Sequence, residues 1–307
     1  MAEAASRGWV LRLGIASVAF ASWAPPSLAG LPLAGLLLLG PDRSVRAWGL
    51  AVLIGLPSAV LLATPDQDVL SALLRAYVVC AAGAFCALTL VAPAPLLRQA
   101  VRTTVVALAA TLGLGRLIFG PGLADMVHWA ADRAAVEPLS MVVGLRPELY
   151  PVAVEVMRFL TRIVPATLVL QTFAGLALAW QWYQHLSHEP LGAPLAPFRE
   201  FRFADSWVWG VVAALGVCVT PFLVGFKAAA LNLLVVLGML YLLRGAAVVV
   251  AVAATAGIAP GALTLGLIVA AVLAAPLVLI LPGLATLGVT DTWLEFRRRL
   301  PGRAPKP

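Results

Sequence analysis

The sequence predicts an all-α, polytopic transmembrane helical bundle of about 8-10 spans, some short or broken, with amphipathic helices lying on the membrane surface. Three observations predict it. Hydrophobic residues make up 62% of the 307-residue chain and charged residues only 11%, against the roughly 25% charged residues of a soluble domain. Mean hydropathy is +0.99. Finally, long apolar runs recur along the whole chain, and in lipid an unpaired backbone group costs several kcal/mol, so these runs must be helices or protein-buried half-helices.

The runs lie at about 10-24, 28-40, 47-63, 69-91, 103-119, 160-183, 207-226, 228-243, 245-258 and 262-284. A hydrocarbon core of about 30 Å needs about 20 helical residues, so the 13 residues of 28-40 and the 14 of 245-258 fall short of a full crossing. The chain reads as one integral membrane domain over 1-307. Its parts are N-terminal spans (10-119), an amphipathic outer segment (120-159), a central span (160-183), a cytoplasmic connection (185-206), C-terminal spans (207-284) and a basic tail (285-307).

Orientation follows from the cations. All but Lys227 and Lys306 of the 21 basic residues are arginines, and most sit in short connections between runs. With ten spans and the N-terminus inside, Arg7, Arg12, Arg43, Arg46, Arg98, Arg102, Arg199, Arg202, Arg244, Arg297, Arg298, Arg299, Arg303 and Lys306 fall on the inner side, as the positive-inside bias asks. Both termini are therefore expected in the cytoplasm and the protein in a bacterial inner membrane. The net charge of +7 is accounted for in this way and calls for no nucleic acid. Arg7 and Arg12 before Ala19-Phe20-Ala21 also fit a signal peptide, but with so many later spans a retained first helix is the simpler expectation.

Few residues offer chemistry. Nucleotide-cradling, zinc-hydrolase, serine-elbow and dinucleotide motifs are absent from the sequence, and no enzyme activity, cofactor or metal is expected. Cys80, Cys86 and Cys218 lie unpaired within apolar runs and read as small core residues. Asp125, His128 and Asp132 share a helix face that reads as the wet side of an amphipathic helix, with His128 and Asp132 as an i, i+4 pair and Arg133 pairing with Glu137 on the adjoining face. Glu155, Arg158 and Arg162 make a second such face. Trp180, Trp182 and Tyr183 read as an aromatic belt, and Ala253, Gly257 and Gly261 as a small-residue stripe cut by Pro260.

The candidate ligand-binding residues are Arg75, Arg116 and Asn232. Each arginine lies inside an apolar run within about two turns of the outer face, and an intramembrane charge seeks a cavity, a partner or the interface. Both readings, anchor and ligand contact, stay open. Asn232 reads as interhelical glue or as a ligand contact.

The second half carries a pattern of its own. Phe198-Arg199-Glu200-Phe201-Arg202-Phe203 leads into Trp207 and Trp209, Tyr241-Leu242-Leu243-Arg244-Gly245 closes one run, and Leu287-Gly288-x-x-Asp291-x-Trp293-x-x-Phe296-Arg297 closes the chain's apolar part. Over 198-299 this resembles the YybS-like bacterial predicted membrane proteins, a poorly characterised family. In general build that family is similar to the S components of energy-coupling-factor transporters and to the rod-shape protein MreD. The resemblance implies a helical bundle that holds a small molecule, or alternatively a non-transporting scaffold that organises membrane protein partners. It also marks Arg244 and Asp291 as motif positions without a known role. S components dock through an Ala-x-x-x-Ala in their first helix, and here 10-24 offers only Ser17-x-x-x-Ala21. Expected partners are the lipid bilayer, a small-molecule ligand and a membrane protein.

Overall fold

A computed structural model of the chain describes residues 2–63, 68–136, 150–258, 262 and 277–296. Its described elements are helical: α1 (Ala2–Ala21), α2 (Ser27–Leu39), α3 (Val45–Ala63), α4 (Val69–Val91), α5 (Leu96–Phe119), α6 (Leu123–Val136), α7 (Tyr150–Leu186), α8 (Trp207–Val219), α9 (Lys227–Thr255) and α10 (Leu277–Leu294). Short 3-10 turns lie at Gly120–Gly122, Phe198–Glu200 and Pro221–Phe226. The chain forms two compact units, Met1–Leu195 and Ala196–Pro307. Their boundary falls inside the predicted 185-206 connection.

In the first unit the short α2 is the centre. It starts just after Pro25 and Pro26, whose fixed φ suits a helix start. Its 13 residues cover roughly 20 Å. Such a half-length helix survives at membrane depth only if protein surrounds it. Leu36 and Leu37 are fully buried, and with Leu33 they meet Ala47 and Ala51 of α3, Phe85 and Cys86 of α4, Ala100 of α5, and Leu176 and Ala179 of α7. A second cluster joins Phe20 of α1, Leu28 of α2, Tyr77, Val78 and Ala81 of α4, Ala107 of α5 and Leu178 of α7. Gly175 lets α7 approach α2, since a Cβ there would crowd the Leu28 carbonyl. The outer faces stay apolar: Leu53, Leu56, Val60 and Leu61 of α3 are exposed. Only 17% of the α3 window is buried although it is strongly hydrophobic. A surface of that kind suits lipid.

Among the described residues five segments are long and apolar enough to cross a membrane: Val45–Ala63, Val69–Val91, Leu96–Arg133, Tyr150–Leu186 and Pro221–Thr255. Three shorter apolar helices accompany them, Gly8–Ala21, Ser27–Leu39 and Trp207–Val219. Several expected boundaries move. The runs at 228-243 and 245-258 join into the single helix α9, because Arg244 is neutralised inside the fold instead of standing in a loop. The outer segment 120-159 ends early, since α7 starts at Tyr150 and runs through Pro165 into the central span. α5 starts at Leu96, so Arg98 and Arg102 stand on its first turns.

Two sequence readings are corrected in detail. Trp180 and Tyr183 do not form an outward belt. Trp180 is 8% and Tyr183 0% exposed, packed against α2, α3 and α4, with Trp180 Nε1 donating to the Ala193 carbonyl at 3.2 Å. The following turn folds back over α7 and supplies polar partners for the rings. The expected stripe of Ala253 and Gly257 is broken as well. α9 stops at Thr255, Gly257 takes φ 74°, and the Ile258 N–H reaches back to the Ala253 carbonyl at 2.9 Å, a glycine-dependent helix stop. Gly261 and Pro260 lie outside the described residues, as do Asp66, Glu137 and the arginines of the C-terminal tail.

One hinge between elements of the first unit is polar. Asp42, between α2 and α3, accepts the His188 N–H at 2.8 Å, the Ser44 N–H at 3.0 Å and the Ser187 hydroxyl at 3.4 Å. These donors, the His188 amide foremost, lower the Asp42 pKa from 3.8 to about 2. The carboxylate thereby ties the α2–α3 turn to the end of α7.

Candidate functional site

In the second unit the motif residues that the sequence singled out meet at one place. α9 is the axis. Arg244 stands 17 residues along it from Lys227, about 25 Å, and 11 residues from Thr255, about 16 Å. α8 starts and α10 ends at the level of Arg244, because Asp205 lies just before α8 and Asp291 in the last turn of α10.

Arg244 is fully buried and holds two carboxylates. Its Nε donates to Asp291 Oδ2 at 3.0 Å and its Nη1 to Asp205 Oδ1 at 2.8 Å. Asp291 is 1% exposed, whereas the Asp205 side chain is 51% exposed. The Phe203 ring covers the guanidinium, with Cζ 5.5 Å from the ring centre. Phe203 also meets Tyr241 edge-on at 5.0 Å and Trp207 at 5.5 Å. Desolvating a guanidinium is costly, and only close carboxylates with good geometry offset it.

The backbone makes the cluster possible. Gly245 on α9 packs directly against the Leu284 carbonyl of α10, and Gly288 of α10 packs against the Tyr241 carbonyl of α9; a Cβ at either glycine would collide with main chain. The two glycines let α9 and α10 touch backbone to backbone, next to Arg244 on α9 and one turn from Asp291 on α10. The motif Tyr241 to Gly245 and the motif Leu287 to Asp291 are thus two sides of one crossing.

Three hydrogen-bonding groups at this crossing lack a partner among the described residues: Arg244 Nη2, Tyr241 Oη and Thr292 Oγ1. The Tyr241 hydroxyl lies beside Thr292. The open groups of the cluster can hold a polar ligand: Arg244 Nη2 donates, and the Tyr241 and Thr292 hydroxyls donate or accept.

The other sequence candidates sit elsewhere. Arg75 is half-buried in the first unit, and its Nη2 donates to Ser71 Oγ one turn back on α4 at 3.4 Å. Arg116 is exposed in the last turn of α5, where the helix dipole favours a cation. Asn232 Nδ2 donates to the Ala228 carbonyl of its own helix at 2.8 Å. A groove between α1 and α7, lined by Ala16, Phe20, Trp23, Ala174, Leu178 and Gln181 among others, is mainly apolar, and none of the candidates lines it. On α6, Arg133 stacks over Trp129 at 5.4 Å. Asp125, His128 and Asp132 form no metal-holding group among the described residues. Asp205, Tyr241 as a polar group and Thr292 were not legible as site residues. The only cue to Asp205 was an acidic residue between an aromatic run and a helix start.

The profile of a family described as "Predicted membrane protein (DUF2232)" matches residues 50–292. The chain belongs to that family. The match spans every member of the Arg244 cluster, from Phe203 to Thr292, so the cluster is part of the DUF2232 region itself. This DUF2232 protein is accordingly an all-α, multi-pass membrane protein, as its apolar helices and lipid-suited faces require. No curated protein and no solved structure matches the chain.

Proposed function

We propose that this protein binds a small polar ligand within its second unit, as a transporter or as the ligand-capturing part of one. One observation carries the reading: a fully buried arginine keeps an unpartnered nitrogen beside two unpartnered hydroxyls, Tyr241 and Thr292. In an apolar surrounding such groups are costly to leave empty, and a bound polar molecule that offers Arg244 an acceptor fills them. Half-exposed Asp205 gives the route in. On this reading the protein lies in the bacterial cytoplasmic membrane with 185-206 and both termini inside, so the ligand enters from the cytoplasmic side. Arg75 and Arg116 act as anchors, and Asn232 acts within its own helix.

The test is a thermal-shift screen of purified full-length protein against small polar metabolites grouped by charge. A compound that carries a hydrogen-bond acceptor raises the unfolding temperature of the wild type, Tyr241→Phe and Thr292→Val abolish the shift, and Arg75→Ala and Arg116→Ala retain it. A screen in which no compound shifts the wild type overturns the proposal.

A second reading, a scaffold for membrane protein partners, is favoured by the segment the cluster pins down. Phe198 is 46% exposed, it stacks on Phe201 at 6.3 Å, and the exposed Arg199 and Glu200 lie beside it. Crosslinking in cells from position 198 or 199 distinguishes the two: a stable partner protein captured there supports the scaffold.

A further inference from the structure

The groove between α1 and α7 in the first unit plays no part in the function proposed above. It offers about 430 Å³, the size of an ordinary ligand cleft. Alanines create it. Ala16 and Ala19 on α1 and Ala174 and Ala177 on α7 line it, and side chains this small leave the space between the two helices unfilled. Two contacts hold the helices at this separation: Trp182 Nε1 donates to Ser17 Oγ at 2.9 Å, and Gln171 Nε2 donates to the Trp23 carbonyl at 2.6 Å.

The groove lies at membrane depth. Ile15 and Val18 beside it on α1 are 62% and 73% exposed, and α7 is long and apolar enough to cross a membrane. An apolar trench in that setting takes an apolar chain, and in a bilayer the chains at hand are the acyl tails of lipids.

One end of the trench carries a charge. Arg12, Ala16 and Ala19 are spaced four and three residues apart and share one face of α1, with exposed Arg12 one turn before the groove. Helical side chains lean toward the N-terminus, which carries the guanidinium out of the hydrocarbon and up to the headgroups. Trp9, stacked on His185 at 4.5 Å, marks the interface near the same level. From Arg12 to Trp23 the chain rises about 16 Å, roughly half of a 30 Å hydrocarbon core and so the depth of one leaflet. No acidic residue follows Glu3 on α1 or Glu155 on α7. Nothing along these helices therefore competes for the arginine or receives a cationic headgroup.

We propose that this groove binds one anionic phospholipid of the leaflet in which α1 begins, with an acyl chain between α1 and α7 and the phosphate on Arg12. The groove is apolar along its length and charged at its headgroup end, which is the pattern of such a lipid. A soluble anion gains nothing from the alanine trench, and a lipid without net negative charge gains less from the arginine.

The experiment uses full-length protein in nanodiscs doped with a phospholipid that bears a photoactivatable diazirine near the end of one acyl chain, either phosphatidylglycerol or phosphatidylcholine. Peptide mass spectrometry reads the label at Ala16 to Trp23 and at Ala174 to Leu178. The exposed face of α8 at Val212 and Leu215, a helix without basic residues, serves as the bulk-lipid reference. The groove peptides should take up phosphatidylglycerol about fivefold more than phosphatidylcholine, the effect of one arginine at a membrane surface, while α8 shows no preference. Arg12→Gln removes the excess and Arg12→Lys keeps most of it. Ala19→Leu with Ala177→Leu fills the groove, leaves the charge in place and lowers the groove label to the α8 level. Equal labelling of the groove by the two lipids, or an excess that survives the filled groove, overturns the proposal. A second copy of the chain crosslinked through α1 and α7 in place of lipid overturns it as well. The wild-type ratio decides by itself if a filled variant fails to fold.

Discussion

Arg244 and Arg202 are both arginines paired with carboxylates in the second unit, and burial gives them opposite weights. Arg202 reaches Glu295 at 3.7 Å with both side chains at least a third exposed, so the pair contributes about 0–1 kcal/mol. Arg244→Met instead leaves Asp291 buried without its charge partner, a loss of about 3–5 kcal/mol. The double change Arg244→Met with Asp291→Leu should recover much of that loss, since it removes both buried charges. Unfolding in detergent, followed by thermal midpoint, checks the order: Arg202→Ala close to wild type, Arg244→Met far below it and the double variant between them. Asp42 gives a pH signature. Its folded pKa is lowered, so its contribution is present above the ordinary value of 3.8 and is lost as pH falls through about 2. Stability measured from pH 5 down to pH 2 should drop less steeply in Asp42→Asn than in the wild type, and the variant should be the less stable of the two at neutral pH.

At the scale of elements, the α9–α10 crossing depends on what its residues lack. Gly245 and Gly288 each face a main-chain carbonyl of the opposite helix, and a methyl group there forces the helices apart. Overpacking of this kind costs about 1–3 kcal/mol. Gly245→Ala and Gly288→Ala should each lower the midpoint, whereas Gly238→Ala, with open space around it, should leave it unchanged or slightly raised by the helix preference of alanine. The same crossing carries Arg244 and Asp291, so the two glycine variants should also weaken the ligand binding proposed for the cluster. α2 makes a related point in the first unit. Thirteen residues are too few to cross lipid alone, and the helix is stable because α3, α4 and α7 bury it.

For the whole molecule the governing fact is the solvent. Large apolar side chains stand exposed on α3, α5 and α8, including Leu53, Leu61, Val105, Leu112, Leu117, Trp209 and Val212. A protein in water would have to cover such faces, while one in a bilayer needs them. Alkaline carbonate washing of membranes should therefore leave the full-length chain in the pellet, and only detergent should release it. Recovery of the chain in the carbonate supernatant would contradict the bilayer reading.

Composition and hydropathy alone settled the helical membrane class, because a chain with so few charges has no other way to satisfy its backbone and hide its surface. Local patterns carried some elements further. The shortness of α2 is written in its run length, whereas Gly257, read from the sequence as part of a packing stripe, turned out to be the stop after α9. Arg244 and Asp291 stood out as motif positions, but their pairing was hidden, since 47 residues separate them and no local period links the two. Tertiary structure also turned Trp180 and Tyr183 inward and joined two apparent spans across Arg244. In each case the cause is the same: a sequence states how costly it is to bury a group, and only packing supplies the partner that makes the burial tolerable.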